Sequence, residues 1–423
     1  MEQITVAILG LGPRGYHTYA QYQKIHPETM RVVAIADIDR KKIESAKADL
    51  GIDESRCYSS AEALLAEDKM ADVLIVATQD HQHIAHAMAG LKKGYDLILE
   101  KPIATTYKDC LQIREEAKRL KRRVAVCHVL RYTAFYRTIK QVLESGKVGE
   151  IVNIDAVENV GYWHQAHSFV RGNWNDSEKS SPMILAKCCH DLDILNFLIG
   201  KKCEKVSSYG GLKFFNKANR PEGAAKYCLQ CKYADSCPYS AKKIYLAPDA
   251  EENRKWFCYV VAPEGDRKDL ENALKTGNYG RCVFDSDNNV VDHQVVAMEY
   301  ENNVTATLTM SAFSADIYRS IRIMCTLGEI EGNQQTNIIR VTPFGEEPQY
   351  YDINRIATDL SGHGGGDNQM MTDFFAQIKS GCGNVSSSIE NSVESHAMAF
   401  AAEESRVRGG EKIEIECFEK ENI

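Results

Sequence analysis

Several features are missing from this 423-residue sequence, and each absence removes a class of function. There is no stripe of Lys and Arg; the one short basic run, 118–123, reads as a solvated helix end. Acidic residues outnumber basic ones, 59 to 51, giving a formal net charge of -8 and a pI near 5.9. A nucleic-acid duplex or an anionic membrane surface would repel that average, so neither is an expected partner. No apolar run approaches the ~20 residues needed to cross a bilayer. The start, Met1-Glu2-Gln3-Ile4, lacks the basic segment and small-residue cleavage site of a secretion signal. Internal repeats and low-complexity tracts are absent too. Cysteine, by contrast, is plentiful at 14 residues, and without a secretion signal this points to a reducing cytoplasm where thiols stay free or bind metal.

What remains is an ordinary globular composition, 44% hydrophobic and 26% charged, on a chain long enough for two domains. The β-branched run Ile4–Leu9 predicts a buried strand, and it ends in Gly10-Leu11-Gly12-Pro13-Arg14-Gly15. This G-x-G-x-x-G spacing has a physical logic. Gly10 makes the tight turn, Gly12 lets the backbone approach a pyrophosphate, and Gly15 lets the following helix pack on the strand. Pro13 and Arg14 open that helix, whose N-terminus attracts phosphate. A second strand over 31–36 ends in Asp37, about twenty residues beyond the last glycine, where a carboxylate binds the ribose hydroxyls. That carboxylate repels a 2′-phosphate, so NAD is favoured as cofactor; Arg40 nearby keeps NADP as the lesser alternative.

Helices over 40–50, 83–93 and 106–121 alternate with strands over 73–77, 97–99 and 124–127. Such alternation predicts a parallel, doubly wound sheet in residues 1–130, with ligands beyond the carboxyl ends of its strands. Thr78-Gln79-Asp80 and Glu100-Lys101-Pro102 fall at that edge.

With Glu100-Lys101-Pro102 the sequence resembles the Gfo/Idh/MocA family of sugar and cyclitol oxidoreductases. The glycine turn, His83 and Ala87 before Gly94, Arg131, Gly146-Lys147-Val148-Gly149-Glu150 and His190-Asp191-Leu192-Asp193 carry the same resemblance. It implies a Rossmann domain followed, over 131–423, by an α/β domain with a large, mostly antiparallel open sheet. That sheet would wall a substrate pocket and form an oligomer interface, in a dimer or tetramer. It also implies that Thr78, His83, Glu100 and Lys101 border the cofactor, and that Lys101 and His190 lie near the reacting carbinol. Many dehydrogenases of the family carry an aspartate four residues before that histidine; here the position is Ala186, followed by Lys187.

Alcohol oxidation needs a hydride acceptor and a partner for the hydroxyl proton. A helix over 182–199, capped by Ser180 or Ser181, would set Lys187 and His190 at i, i+3, and Lys187 and Asp191 at i, i+4. An imidazole with an ordinary pKa of about 6.5 suits proton transfer near neutrality. The stretch 162–174 crowds Tyr162, His164, His167, Arg171 and two tryptophans without a clear period. It supplies His164 as a further acid–base candidate and Tyr162, His167 and Arg171, with Arg131, as substrate contacts. His363, in Gly362-His363-Gly364-Gly365-Gly366, is placed in the same pocket, whereas His17, His81 and His86 read as surface or capping residues.

Residues 214–290 read as a polar insertion with charged runs such as 249–255. Within it Cys228, Cys231 and Cys237 follow C-x2-C-x5-C, a spacing suited to structural zinc with Cys282 as fourth thiolate, or Cys203 or Cys258 in its place. Outside the insertion, alternating strands are expected over 151–157, 294–299, 304–311 and 319–326. Helices are expected over 367–379 and 389–406, and a last strand over 412–417. The expected activity is NAD-dependent oxidation or reduction of a ring hydroxyl of a small sugar, glycoside or cyclitol. The alternative is a glycoside hydrolase that retains NAD and cleaves by transient oxidation and elimination.

Overall fold

The apolar runs of the first 130 residues pair as one all-parallel sheet. In this computed structural model, which describes residues 3–248, 255–381, 383 and 385–422, the strands are β1 (Ile4–Leu9), β2 (Met30–Ala36), β3 (Cys57–Tyr58), β4 (Val73–Val76), β5 (Asp96–Leu99) and β6 (Val124–Val126). Their order is β3-β2-β1-β4-β5-β6, so strand order reverses between β1 and β4 and opens a crevice at their carboxyl ends. Strand β3, two residues long, is too short to read as a run in the sequence. The helices Arg40–Leu50, His83–Lys92 and Tyr107–Leu120 form where expected. Asp39 caps the first, its carboxylate accepting from the Lys41 amide; Thr106 caps the third through the Asp109 amide.

The sheet is not covered by the first 130 residues alone. One of its faces packs on the helix Gly366–Ser380, whose Met370, Met371, Phe374 and Phe375 share a core with Val6, Ile8, Tyr22 and Ile75. A doubly wound sheet must be buried on both faces, and the chain returns from its far end to do it.

The second sheet holds β7 (Ile151–Asn159), β8 (Cys203–Gly211), β9 (His293–Tyr300), β10 (Val304–Ser311), β11 (Tyr318–Cys325), β12 (Gly328–Asn333), β13 (Ile338–Pro343), β14 (Gln349–Asp352) and β15 (Ile413–Glu414). Its order is β14-β13-β12-β11-β7-β10-β9-β8-β15, antiparallel except where β10 runs parallel to β7. Inward positions alternate with outward ones, as in Arg319, Ile321, Ile323 and Cys325 of β11. The helix Ile389–Val407 lies behind β8.

Two expected elements differ. Only Ile413–Glu414 of the 412–417 strand pairs with β8; Ile415–Glu421 is helical, because Ile415 and Phe418 bury together at i, i+3. The 182–199 helix is broken into Met183–Ala186 and Cys189–Ile199. Pro182 precedes it, and the Ser181 hydroxyl donates to Asp80 Oδ2 at 2.9 Å instead of capping. The insertion also has an apolar core of its own, including Phe215, Tyr245, Phe257, Leu274 and Phe284. Of the charged run 249–255, residues 249–254 lie outside the described residues.

Candidate active site

The glycine loop is built for close approach. Gly10 has φ +90°, and a Cβ there would stand 2.4 Å from the Ala77 carbonyl; one on Gly15 would stand 1.9 Å from the Gly10 carbonyl. A Cβ on Gly12 would meet none of the described residues within 4 Å. Two glycines are therefore required by the protein, and the third leaves room for a ligand. Asp37 overlooks this slot at the end of β2. Its Oδ2 accepts from the Leu11 amide at 2.6 Å and its Oδ1 from the Asp39 amide at 2.8 Å. This donor and acceptor set fits a dinucleotide pyrophosphate and ribose.

Around the loop, several residues expected at the cofactor use their side chains internally. Arg14 Nε donates to Glu100 Oε1 at 2.6 Å and its Nη2 to Asp367 Oδ1 at 2.6 Å, with Tyr19 a further partner. Burial alone would raise the Glu100 carboxyl; Arg14, Lys101 and Tyr19 hold it below the ordinary range. Both nitrogens of buried His83 face carbonyls, Pro102 at 2.7 Å and Thr78 at 3.1 Å, so this ring ties the Glu-Lys-Pro turn to the end of β4. The Thr78 hydroxyl lies 2.9 Å from His86 Nδ1. His86, read as a surface residue, is buried because Thr78 and Glu62 flank it.

Beyond the loop, Lys101 Nζ donates to the Ala186 carbonyl at 2.9 Å, at the position where an aspartate is absent. His190 is buried, and its Nδ1 has no hydrogen-bond partner among the described residues. Burial, then the charges of Lys101, His128 and Arg319, push its pKa well below the ordinary value, so the ring is a neutral base near pH 7. His363 stands beside it, ring centres 6.1 Å apart, and its Nδ1 lies 2.9 Å from Asp367 Oδ2.

Lys187 does not pair with Asp191. Its Nζ lies 3.2 Å from Glu158 Oε1 on β7, while Arg319 on β11 joins Glu158 at 2.8 Å to Asp191 at 2.8 Å. The helix break at Lys187 separates the expected i, i+4 partners. Glu158 and Arg319 were not legible as site residues, although they are register partners at inward positions of neighbouring strands. Asp80, another buried carboxylate, accepts from Trp174 Nε1 at 3.0 Å and from Ser181, joining the 162–174 stretch to the end of β4.

That stretch is a helical turn, Tyr162–His164, running into the π-helix Gln165–Arg171. His164 packs on Trp256 and Phe257 of the insertion, and burial, then nearby Lys187, lowers its pKa well below the usual range. Tyr162 packs edge-on to Tyr239 at the mouth of the insertion. His167 and Arg171, expected as substrate contacts, point into the insertion instead. His167 is stacked between Phe257 and Tyr279, with Nδ1 2.8 Å from the Tyr245 hydroxyl, and burial takes its pKa down to about 3. Arg171 donates to the carbonyls of Arg281 and Tyr239, at 2.7 Å each, and to Cys228 Sγ at 3.4 Å. Arg131 is likewise withdrawn from any substrate: it grips Asp193 with two nitrogens, at 2.6 and 2.8 Å, deep in the core.

Cys228, Cys231, Cys237 and Cys282 line one small cavity of about 40 Å³ beside Arg171. The Tyr227–Arg281 bridge brings their two segments together. Their sulfurs do not close into a tight set; among the described residues the one trio of ligand atoms within 4.8 Å of one another is His128, Cys189 and His396. That trio is unsuited to metal, because His396 Nε2 accepts from the Ile103 amide and its Nδ1 lies 2.9 Å from the Ser392 carbonyl. Cys188 and Cys189 are core residues.

Comparison with known proteins agrees with this geometry. Residues 4–128 match the oxidoreductase family, NAD-binding Rossmann fold, and residues 140–415 match the C-terminal alpha/beta domain of the same family. The putative oxidoreductase YteT of Bacillus subtilis (strain 168) is 28% identical over 320 residues, 72% of each chain. Inositol 2-dehydrogenase 2 of Saccharopolyspora erythraea is 30% identical over 181 residues, covering 42% of this chain and 49% of that one. Among solved structures, the NAD+ complex of an inositol dehydrogenase homolog from Azotobacter vinelandii superposes with a TM-score of 0.71 at 17% identity, over 98% of this chain and 97% of that one. The chain belongs to the Gfo/Idh/MocA family of NAD-dependent oxidoreductases.

Proposed function

We propose that this enzyme oxidises or reduces a hydroxyl-bearing ring carbon of a small cyclitol or sugar, with Lys101 and His190 handling the hydroxyl proton. The observation that carries the reading is His190: a buried imidazole with a nitrogen that no described residue claims, kept neutral among cations. In the oxidative direction His190 accepts the hydroxyl proton. Lys101, whose Nζ already donates to Ala186, supplies an N–H to the substrate oxygen. When bound, the nicotinamide takes up the hydride. Glu158 holds Lys187, and His164 and His363 complete the wall. The names of the S. erythraea and A. vinelandii relatives support a cyclitol-like substrate. NAD is favoured over NADP, because Asp37 is fixed beside the slot while Arg40 is engaged by Glu44 and Glu54.

The test supplies purified protein with NAD and a panel of cyclitols, free sugars and glycosides, following reduced nicotinamide and aglycone release together. NADH formation that disappears in Lys101→Ala and His190→Ala, with NAD affinity retained, supports the proposal. Aglycone release without net NADH would replace it with the hydrolase.

Two finer assignments accompany it. Cys228, Cys231, Cys237 and Cys282 would draw together on a structural zinc, supported by the cavity they share and by the absence of a disulfide among the described cysteines, which also suits a reducing cytoplasm. The open face of the second sheet, with exposed Val152, Tyr209, Val295 and Tyr350, joins a second copy. Light scattering of the purified chain tests that: a monomer at micromolar concentration overturns it.

A further inference from the structure

The helix Lys255–Val261 belongs to the insertion, yet two of its side chains reach out of it. Trp256 lies edge-on to His164, ring centres 5.7 Å apart, at the catalytic end of the cleft. Three residues on, and so on the same helical face, Tyr259 meets His17 edge-on at 4.3 Å. His17 stands on Gly15–Ala20, the helix that the glycine loop opens. One short helix, about 10 Å long at 1.5 Å per residue, therefore touches both ends of the region between the glycine loop and His164.

The Tyr259 hydroxyl is buried and has no hydrogen-bond partner among the described residues. Buried phenols are ordinarily satisfied, and an orphan calls for an explanation. Its surroundings point to one. Beyond the effect of burial, the carboxylates of Glu264, Asp37 and Asp39 keep the phenol protonated, as a donor. Asp37 is the carboxylate placed to read the adenosine ribose, and a ribose there offers oxygens that accept a hydrogen bond.

We infer that Lys255–Val261 is the outer wall of the dinucleotide site, in which the Tyr259 hydroxyl donates to the ribose held by Asp37 and Trp256 covers the cofactor near His164. The insertion then slows cofactor exchange, because this wall must move before NAD can leave.

The test uses the full chain and two probes, NAD and ADP-ribose, with affinity from titration calorimetry and release from stopped-flow displacement. Tyr259→Phe removes only the hydroxyl; it weakens both probes by the same factor, about two- to tenfold, the worth of one neutral hydrogen bond. Trp256→Ala speeds NAD release and leaves ADP-ribose affinity unchanged. Hydrogen exchange of the 255–261 amides slows when NAD is added to the wild type. Unchanged affinities for both probes in Tyr259→Phe, or exchange over 255–261 indifferent to NAD, overturns the inference. An unchanged melting temperature of each variant without cofactor separates these readouts from misfolding.

Discussion

Gly12→Ala and Gly15→Ala form a pair of one-methyl perturbations whose outcomes the glycine loop separates. At Gly15 the new Cβ would stand 1.9 Å from the Gly10 carbonyl, backbone that cannot swing aside. Overpacking of that kind costs about 1–3 kcal/mol or more, and the apo protein's melting temperature falls by several degrees. At Gly12 the Cβ meets no atom of the described residues within 4 Å. Stability without cofactor should stay within about 0.5 kcal/mol of the wild type. The same methyl occupies the approach of the pyrophosphate, however. Losing one charge-assisted hydrogen bond to it costs about 1.5–3 kcal/mol, or ~10- to 150-fold in affinity. Thermal unfolding of the apo proteins and calorimetric titration with NAD measure the two effects separately. A Gly12→Ala protein that binds NAD like the wild type, or that melts as early as Gly15→Ala, would refute the assignment of that open space to the cofactor.

Other perturbations probe the interior charges. Arg131→Leu leaves His128 to hold the buried Asp193 carboxylate alone and should cost about 3–5 kcal/mol of stability; urea unfolding measures it, and a change confined to substrate KM would restore Arg131 to the substrate. Despite its burial, Arg131 and His128 hold the Asp193 carboxyl down to about 2. Its contribution, on the order of 2 kcal/mol, is therefore present above about pH 4 and lost as pH falls toward 2. Asp193→Asn should flatten that part of the stability–pH curve. Glu158→Ala leaves Lys187 unpaired and removes one of the two carboxylates holding Arg319, and it should destabilise by a similar 3–5 kcal/mol; wild-type stability would dissolve the network. Because the His190 pKa is lowered, kcat/KM should hold through the ordinary imidazole range near 6.5 and fall only at lower pH. An acid limb near 6.5 in the wild-type profile would contradict its environment. Purified protein should carry about one zinc per chain, by mass spectrometry of the metal; none after preparation without chelators removes the cysteine site.

Much of the cofactor half was legible in the residues themselves. The glycine turn, the apolar runs β1, β2, β4, β5 and β6, and the helices between them rest on near-neighbour physics: backbone sterics at Gly10, periodic burial, and the caps at Asp39 and Thr106. The alternation of β7, β9, β10 and β11 was readable for the same reason. Even Glu158 and Arg319 left a trace, as charges at inward positions of their strands, but only the register of β7 on β11 makes them partners.

Where a side chain points after its element forms was decided by tertiary packing. His164, His167 and Arg171 follow one another along one helical run; the insertion folded over that run and took up His167 and Arg171 entirely, while His164, packed on the same Phe257 ring, also lies near Lys187. Arg131 turned from substrate contact to buried clamp because Asp193, 62 residues away, met it. The helix Gly366–Ser380 closed a sheet that lies more than two hundred residues upstream. Short-range patterning determined the elements and the cofactor loop. The allotment of charges, rings and thiols between core and cleft required contacts between distant segments, which carry no signature within either segment alone.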